Sequence, residues 1–302
     1  MVIFFEIKFE NVKFLTYICD TMHYIIQENI FKESHYKILI DTMDKLKLPY
    51  QVVRVFPFVD KVVDLNDIPE DNDFNLDELP DVNPVTTEKI FTFGAVKMAR
   101  ICAQKDWTPG SLLNENHDFE VYSKYYKENL LNYDSIITSA GSNINFNDGK
   151  KFIRPTKDTK AFTGKVFSKE DWQEFLENNV GNERSILNET TTIQVSSVKD
   201  IYQEIRFWVI GGKVVTGSRY KLGANIEYSE YFDPEALEYA QKMVDIYQLA
   251  DAFVIDVCLT DNGWKIVECN CINCAGFYLC NMQKMIMELE YYFNPEKFEN
   301  EI

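Results

Sequence analysis

Asp256, Glu268 and Asn270 are the residues best placed to do chemistry. They belong to two strand-like runs, 253–259 and 264–269 with Asn270 just beyond, that flank the turn signal Asp261-Asn262-Gly263. With a three-residue loop over 261–263, Asp256 lies directly opposite Glu268, and Asn270 shares their face. Like charges opposed on a sheet repel each other, so the pair makes sense chiefly with a cation between them. Carboxylate oxygens completed by phosphate oxygens suit Mg2+. The alternative is a solvated acidic edge, and a loop of two or four residues would break the direct opposition.

A second hairpin carries cations. The run 204–210 holds Glu204 and Arg206, Gly211-Gly212 suits a primed turn, and 213–220 holds Arg219. That register puts Glu204 opposite Arg219, with Arg206 on the same face. The patch can hold a transferring phosphate, because arginine's rigid fork matches oxyanions. It can also be a cross-strand surface pair, worth about 0–1 kcal/mol. Upstream, Lys151-Phe152-Ile153-Arg154-Pro155 precedes Lys160-Ala161-Phe162-Thr163-Gly164-Lys165, a basic strand end and a flexible turn with a lysine on each side. This too can clasp phosphates, or simply be solvated. Neither the Walker A spacing nor the dinucleotide Gly-x-Gly-x-x-Gly fingerprint occurs.

The elements that must position these groups read as an α/β chain. Residues 23–26 form a strand, 33–46 an amphipathic helix and 50–58 a strand ended by Pro57, an opening alternation that implies an α/β sheet. Residues 60–81 are acidic and read as a solvated loop. Strand-then-helix patterning resumes over 91–102, and Trp107-Thr108-Pro109-Gly110 is a turn, either a packed corner or a substrate loop. After Asn143 come short strands and one helix, 169–178, capped by Ser168. Asp233-Pro234-Glu235 starts a further helix, with Leu237, Ala240, Val244 and Tyr247 at helical spacing. These shifts set off an extension, 1–21, and place the boundary between the two halves near residue 140. Met22 opens a clean unit and is a candidate start.

Composition narrows the function classes. The 302 residues, 46% of them hydrophobic, can bury a substantial core. With 31 Lys and Arg against 48 Asp and Glu, the net charge of −17 argues against nonspecific nucleic-acid binding. No apolar stretch reaches membrane-spanning length and the N-terminus lacks a signal-peptide pattern, so a cytoplasmic protein with no membrane partner is expected. The seven cysteines fit a reducing compartment. Four of them crowd at Cys269, Cys271, Cys274 and Cys280, where a zinc site competes with free or buried thiols.

Taken in order, these parts resemble the ATP-grasp superfamily. Glu204-Ile205-Arg206, then Arg219, then Asp256, Glu268 and Asn270 look like the phosphate and metal elements of ATP-grasp peptide ligases such as the ribosomal-protein glutamate ligase. The N-terminal half, with Phe56-Pro57-Phe58 and Trp107-Thr108-Pro109-Gly110, together with Phe152-Ile153-Arg154-Pro155 and Lys160-Ala161-Phe162-Thr163-Gly164, is similar to an ATP-grasp clade common in phages and bacteria. The resemblance spans residues 22 to about 293. It implies an N-terminal α/β domain, 22–140, followed by two lobes that grip ATP, a small lobe, 141–195, and a large lobe with the metal site, 196–302. Arg154 and Lys160 would hold the α- and β-phosphates, the hinge Gln194, Val195, Ser196 and Ser197 would meet adenine, and Asp200 or Glu204 would face the ribose. Arg206 and Arg219 would stabilise the transferring phosphoryl group, and Asp256, Glu268 and Asn270 would bind Mg2+. The implied activity joins a small-molecule or peptide carboxylate to an amine through an acylphosphate. The alternatives are a noncatalytic nucleotide-binding module and a small-molecule kinase.

Overall fold

The computed structural model describes residues 21–30, 32–56, 58–70, 74–83, 89–157, 161–182 and 185–295. The first sheet contains β1 (His23–Gln27), β2 (Tyr50–Phe56), β3 (Lys61–Asp64), β4 (Lys89–Phe93) and β5 (Thr108–Gly110), in the order β3-β2-β1-β4-β5. All are parallel except β3, which runs antiparallel to β2. Helices α1 (Tyr36–Leu46) and α2 (Val96–Cys102) cover opposite faces. The pleat explains the split: Tyr24 and Ile26 enter a core with Leu39 and Met43 of α1, while Ile25 and Val53 pack with Met98 and Ile101 of α2.

Two local expectations change here. The acidic stretch 60–81 contains β3, because Val62 and Val63 are wholly buried and outweigh the surrounding charge. The first helix starts at Tyr36 rather than Glu33, since Asn29 brackets the Glu33 backbone, accepting from its N–H at 2.7 Å and donating to its carbonyl at 2.9 Å. The Trp107–Gly110 segment, read as a turn, supplies the short edge strand β5 and contains a cis Thr108–Pro109 bond.

After α3 (Phe119–Tyr126), β6 (Ile136–Ser139), β7 (Lys151–Pro155), β8 (Lys165–Phe167) and β9 (Thr192–Ser197) make an antiparallel sheet ordered β6-β9-β7-β8. Helix α4 (Lys169–Asn179) packs Trp172 onto it and begins at a Ser168–Asp171 capping box.

The third sheet joins β10 (Gln203–Ile210), β11 (Lys213–Leu222), β12 (Asn225–Ser229), β13 (Ala252–Thr260) and β14 (Gly263–Cys271), ordered β12-β11-β10-β13-β14. Helix α5 (Pro234–Ile246) and α3 bury one face against Ile205, Phe207, Val209, Phe253, Ile255 and Val257. On the other face Trp208, Ile210, Ala252 and Val254 meet α6 (Met282–Phe293) and the first sheet. The same pleat puts Glu204, Arg206 and Asp256 on that second face, just past the edge of the apolar cover. The candidate site residues therefore begin where the core ends. Among the described residues no helix is long and apolar enough to cross a membrane.

Candidate functional site

A row of charged side chains crosses the third sheet, two acids flanked by a cation at each end. Arg206 pairs with Asp256 in register, and Asp256 pairs with Glu268. Arg206 donates through Nε and Nη2 to the two Asp256 oxygens, each at 2.8 Å. Its third nitrogen, Nη1, donates to the Gly276 carbonyl at 3.2 Å. The Tyr278 ring lies 4.6 Å from the guanidinium carbon. Burial works against the Arg206 charge, and Asp256 beside it outweighs that cost and holds the group ionised. At the other end of the row, Arg154 on β7 reaches across from the second sheet to Glu268, Nη1 to Oε2 at 2.5 Å.

The direct opposition of Asp256 and Glu268 arises by a different route from the one expected. Thr260 pairs with Gly263, so the loop is the two residues Asp261 and Asn262, and a bulge at Val267 shifts the register back. Asn270 pairs with Val254 on the same face, deeper and buried. Each acid has its own guanidinium counter-charge, Arg206 on Asp256 and Arg154 on Glu268. The donor set nonetheless fits a hard dication, since all three donors are oxygens and Glu268 faces an open cleft. Glu268 can reach a metal by releasing Arg154, whereas Asp256 has only the lone pairs that Arg206 leaves.

The β10–β11 hairpin corrects the second expectation. Gly211-Gly212 forms the turn, but bulges at Val215 and Tyr220 move the pairing, so Glu204 faces Lys221 and Arg219 faces Ile205. Arg219 therefore lies on the α5 side of the sheet, paired with Glu227, away from Arg206. Lys221 takes its place, donating to Glu204 at 2.6 Å while the Tyr220 hydroxyl donates to the other oxygen at 2.8 Å. The signal for both was present in the sequence next to Arg219, but a one-residue bulge hides it.

Between the second and third sheets lies a cleft of about 670 Å3. Arg154, Lys157, Lys165, Lys199 and Lys221 line it, with Asp200, Glu204 and Glu268. Gly164 allows the β7–β8 turn to close against it, since a Cβ there would stand 2.8 Å from the Arg154 Cβ and 2.9 Å from Phe152. Ser197 lines the rim, while Gln194, Val195 and Ser196 are buried in β9, Ser196 donating to Asn132 at 2.9 Å. Asp200 is exposed at the mouth. Lys160 lies outside the described residues.

The four crowded cysteines do not form one centre. Cys269 packs in the core under α5 and Cys280 in the core under α6, Cys271 donates to Asn273 Oδ1 at 3.2 Å, and Cys274 is half-buried. Among the described residues no three His, Cys, Asp or Glu side chains come together as a metal-holding group. Asn273 instead ties β14 to the first sheet, donating to the Thr92 carbonyl at 2.7 Å and accepting from the Leu112 N–H at 2.8 Å.

Solved structures share this fold. D-alanine–D-alanine ligase from Bacillus anthracis complexed with ATP superposes with a TM-score of 0.55 at 13% identity, covering 93% of this chain and 99% of that one. The D-alanine–D-alanine ligase from Coxiella burnetii gives 0.60 at 11% identity, with 93% and 97% covered. These likenesses show the fold. A search among curated proteins finds no match. A family model for an ATP-grasp domain, the third family of its clade, matches residues 58–289, well over half of the chain. The mixed α/β architecture is thus an ATP-grasp fold, and the chain belongs to that ATP-grasp domain family.

Proposed function

We propose that this protein is an Mg-ATP-dependent ligase that joins a carboxylate to an amine through an acylphosphate. The observation that carries the reading is the cleft between the second and third sheets, which five cationic side chains line together with a carboxylate, Glu268, that adjoins a second one, Asp256. ATP carries the complementary charge. In this reading Arg154 leaves Glu268 for the α- and β-phosphates, which Lys160 also serves, and Lys165 adds charge from the cleft wall. The backbone of 194–197 meets adenine and Asp200 the ribose, since Glu204 is already engaged by Lys221 and Tyr220. Asp256, Glu268 and Asn270 hold magnesium, which when bound supplies positive charge to the phosphate oxygens.

Arg206 cannot swing out, being fixed by Asp256, Gly276 and Tyr278. It acts as a preorganised charge at the point where phosphoryl transfer occurs. The substrate carboxylate attacks the γ-phosphorus and ADP leaves, and the amine then displaces phosphate to form the amide. In this reading the working units are an N-terminal domain, proposed at 22–140, and two lobes, proposed at 141–195 and 196–302, with β6 of residues 136–139 joining the sheet of the first lobe.

The test is to incubate the protein with Mg-ATP and separate pools of amino acids, polyamines and short peptides, following ADP, phosphate and new masses. ADP, phosphate and an amide product appearing together support the ligase. ADP with a phosphorylated product and no amide makes it a kinase, and bound ATP without turnover in any pool makes it a nucleotide-binding module.

A further inference from the structure

A second crevice, of about 480 Å3, opens at the C-terminal ends of β1 and β4. β2 lies on one side of β1 and β4 on the other, so successive connections leave in opposite directions and the strand ends part. Open parallel sheets receive ligands at such points. A single layer of rings separates this crevice from the cationic cleft. Tyr220 lines the cleft and stacks on Tyr278 with centroids 4.8 Å apart, Tyr278 stacks on Tyr228 at 5.4 Å, and Tyr228 meets His35 edge-on at 5.2 Å. Tyr278, Tyr228 and His35 all line the crevice.

Glu33 is the carboxylate that stands out there. It is half-buried, and its Oε1 accepts from the Phe277 N–H. Among the described residues no lysine or arginine forms an ion pair with it, whereas neighbouring Glu28 is neutralised by Arg54 through bonds of 2.6 and 2.9 Å. Burial raises the Glu33 pKa, and the backbone donors, His35 and the more distant Arg206 only partly offset it. Tyr36 lines the same crevice, and its hydroxyl, acted on by Glu28, is buried with no hydrogen-bond partner. A Cβ on Gly276 would lie 3.5 Å from Glu33 Oε1 and 3.9 Å from Arg206 Nη1, so Glu33 and Arg206 flank the same stretch of backbone.

Building on the ligase reading, we propose that this crevice seats the amine substrate as its ammonium, with Glu33 as counter-charge and the rings of His35, Tyr36 and Tyr228 as walls. A carboxylate without an ion-pair partner, set among electron-rich ring faces, is complementary to a protonated amine. Lys32, exposed at the rim, adds one like charge. The site therefore favours an amine whose remainder is neutral or anionic over a polyamine. The stacked Tyr278 and Tyr220 rings run from the seat to the cleft, and Arg206 lies against Tyr278, so the amine is held on the side of the crevice that faces Arg206.

The test is calorimetric titration of nucleotide-free protein with L-alaninamide, N-acetyl-L-alaninamide and putrescine, for wild type, Glu33→Gln and Tyr36→Phe, with Mg-ATP titrated into the same samples. L-alaninamide is expected to bind wild type, to bind Glu33→Gln at least tenfold more weakly and Tyr36→Phe severalfold more weakly, and to outcompete putrescine. The acetylated compound is expected not to bind. No binding of L-alaninamide to wild type, equal binding to all three proteins, or equal binding of the acetylated form would overturn the amine site. Mg-ATP failing to bind while the amine pattern holds would overturn the nucleotide reading and leave the amine site standing.

Discussion

Arg206 and Asp256 face each other on adjacent antiparallel strands and share two hydrogen bonds of 2.8 Å, with both side chains almost wholly removed from solvent. The pair sits at the boundary between the apolar cover of Trp208 and Val254 and the cationic cleft. It is the fixed point of the site, and its energetics separate stability from catalysis.

Asp256→Leu alone leaves a buried guanidinium without its counter-ion and is expected to lower unfolding stability by roughly 3–5 kcal/mol in denaturant titrations. Adding Arg206→Met is expected to recover most of that loss, because it removes the stranded charge, while ATP turnover stays abolished. Recovery of turnover with the double variant would show that neither side chain serves catalysis.

The Arg154–Glu268 bridge should behave oppositely. Both side chains are partly exposed, so Glu268→Gln is expected to cost about 1 kcal/mol of stability or less. Its effect on ATP turnover is expected to be a loss of roughly a hundredfold or more, the scale for removing a preorganised charge-stabilising group. Thermal melts and initial rates on the same preparations check both halves.

Lys221 and Arg219 are separated by one residue and belong to opposite faces. Lys221→Ala is expected to weaken nucleotide binding about tenfold, and Arg219→Ala to leave the affinity within about twofold, the loss of one charge-assisted contact being worth about 1.5 kcal/mol or more. The reverse ranking in a nucleotide titration would restore the unbulged register.

Glu33 gives a pH signature. Its folded pKa lies above the ordinary 4.5 because of burial. Between those two values the folded state binds more protons than the unfolded state, so this group's contribution to stability falls as pH rises through the window. The stability of Glu33→Gln relative to wild type is therefore expected to increase from about pH 4.5 upward and then level off. A flat difference across that range contradicts the burial of an uncompensated carboxylate.

Much of the site was legible because the chemistry-bearing residues stand in strands, where period two assigns them to faces. Asp256, Glu268 and Asn270 share a face as the sequence requires, although a two-residue loop and the Val267 bulge replace the three-residue loop. The same irregularity misled the reading of 204–222, where bulges at Val215 and Tyr220 exchange Arg219 for Lys221. Nothing in the residue types at these bulges marks them, since the extra residue is accommodated by sheet twist rather than by a glycine. The long-range polar contacts were illegible for another reason. Arg154 and Glu268 meet, as do Tyr24 and Glu290 at 2.8 Å, only once separate sequence segments pack. The Glu33 crevice was missed because the helical pattern over 33–46 absorbed the residue that Asn29 holds outside α1.

The most direct test is a crystal structure with Mg2+ and a nonhydrolysable ATP analogue. The triphosphate is expected between β7 and β14, with Arg154 turned from Glu268 onto phosphate, the metal on Glu268, and Arg206 unmoved against Asp256. A nucleotide bound elsewhere, or one bound in the cleft with the Arg154–Glu268 bridge intact and no metal on Glu268, would contradict the account.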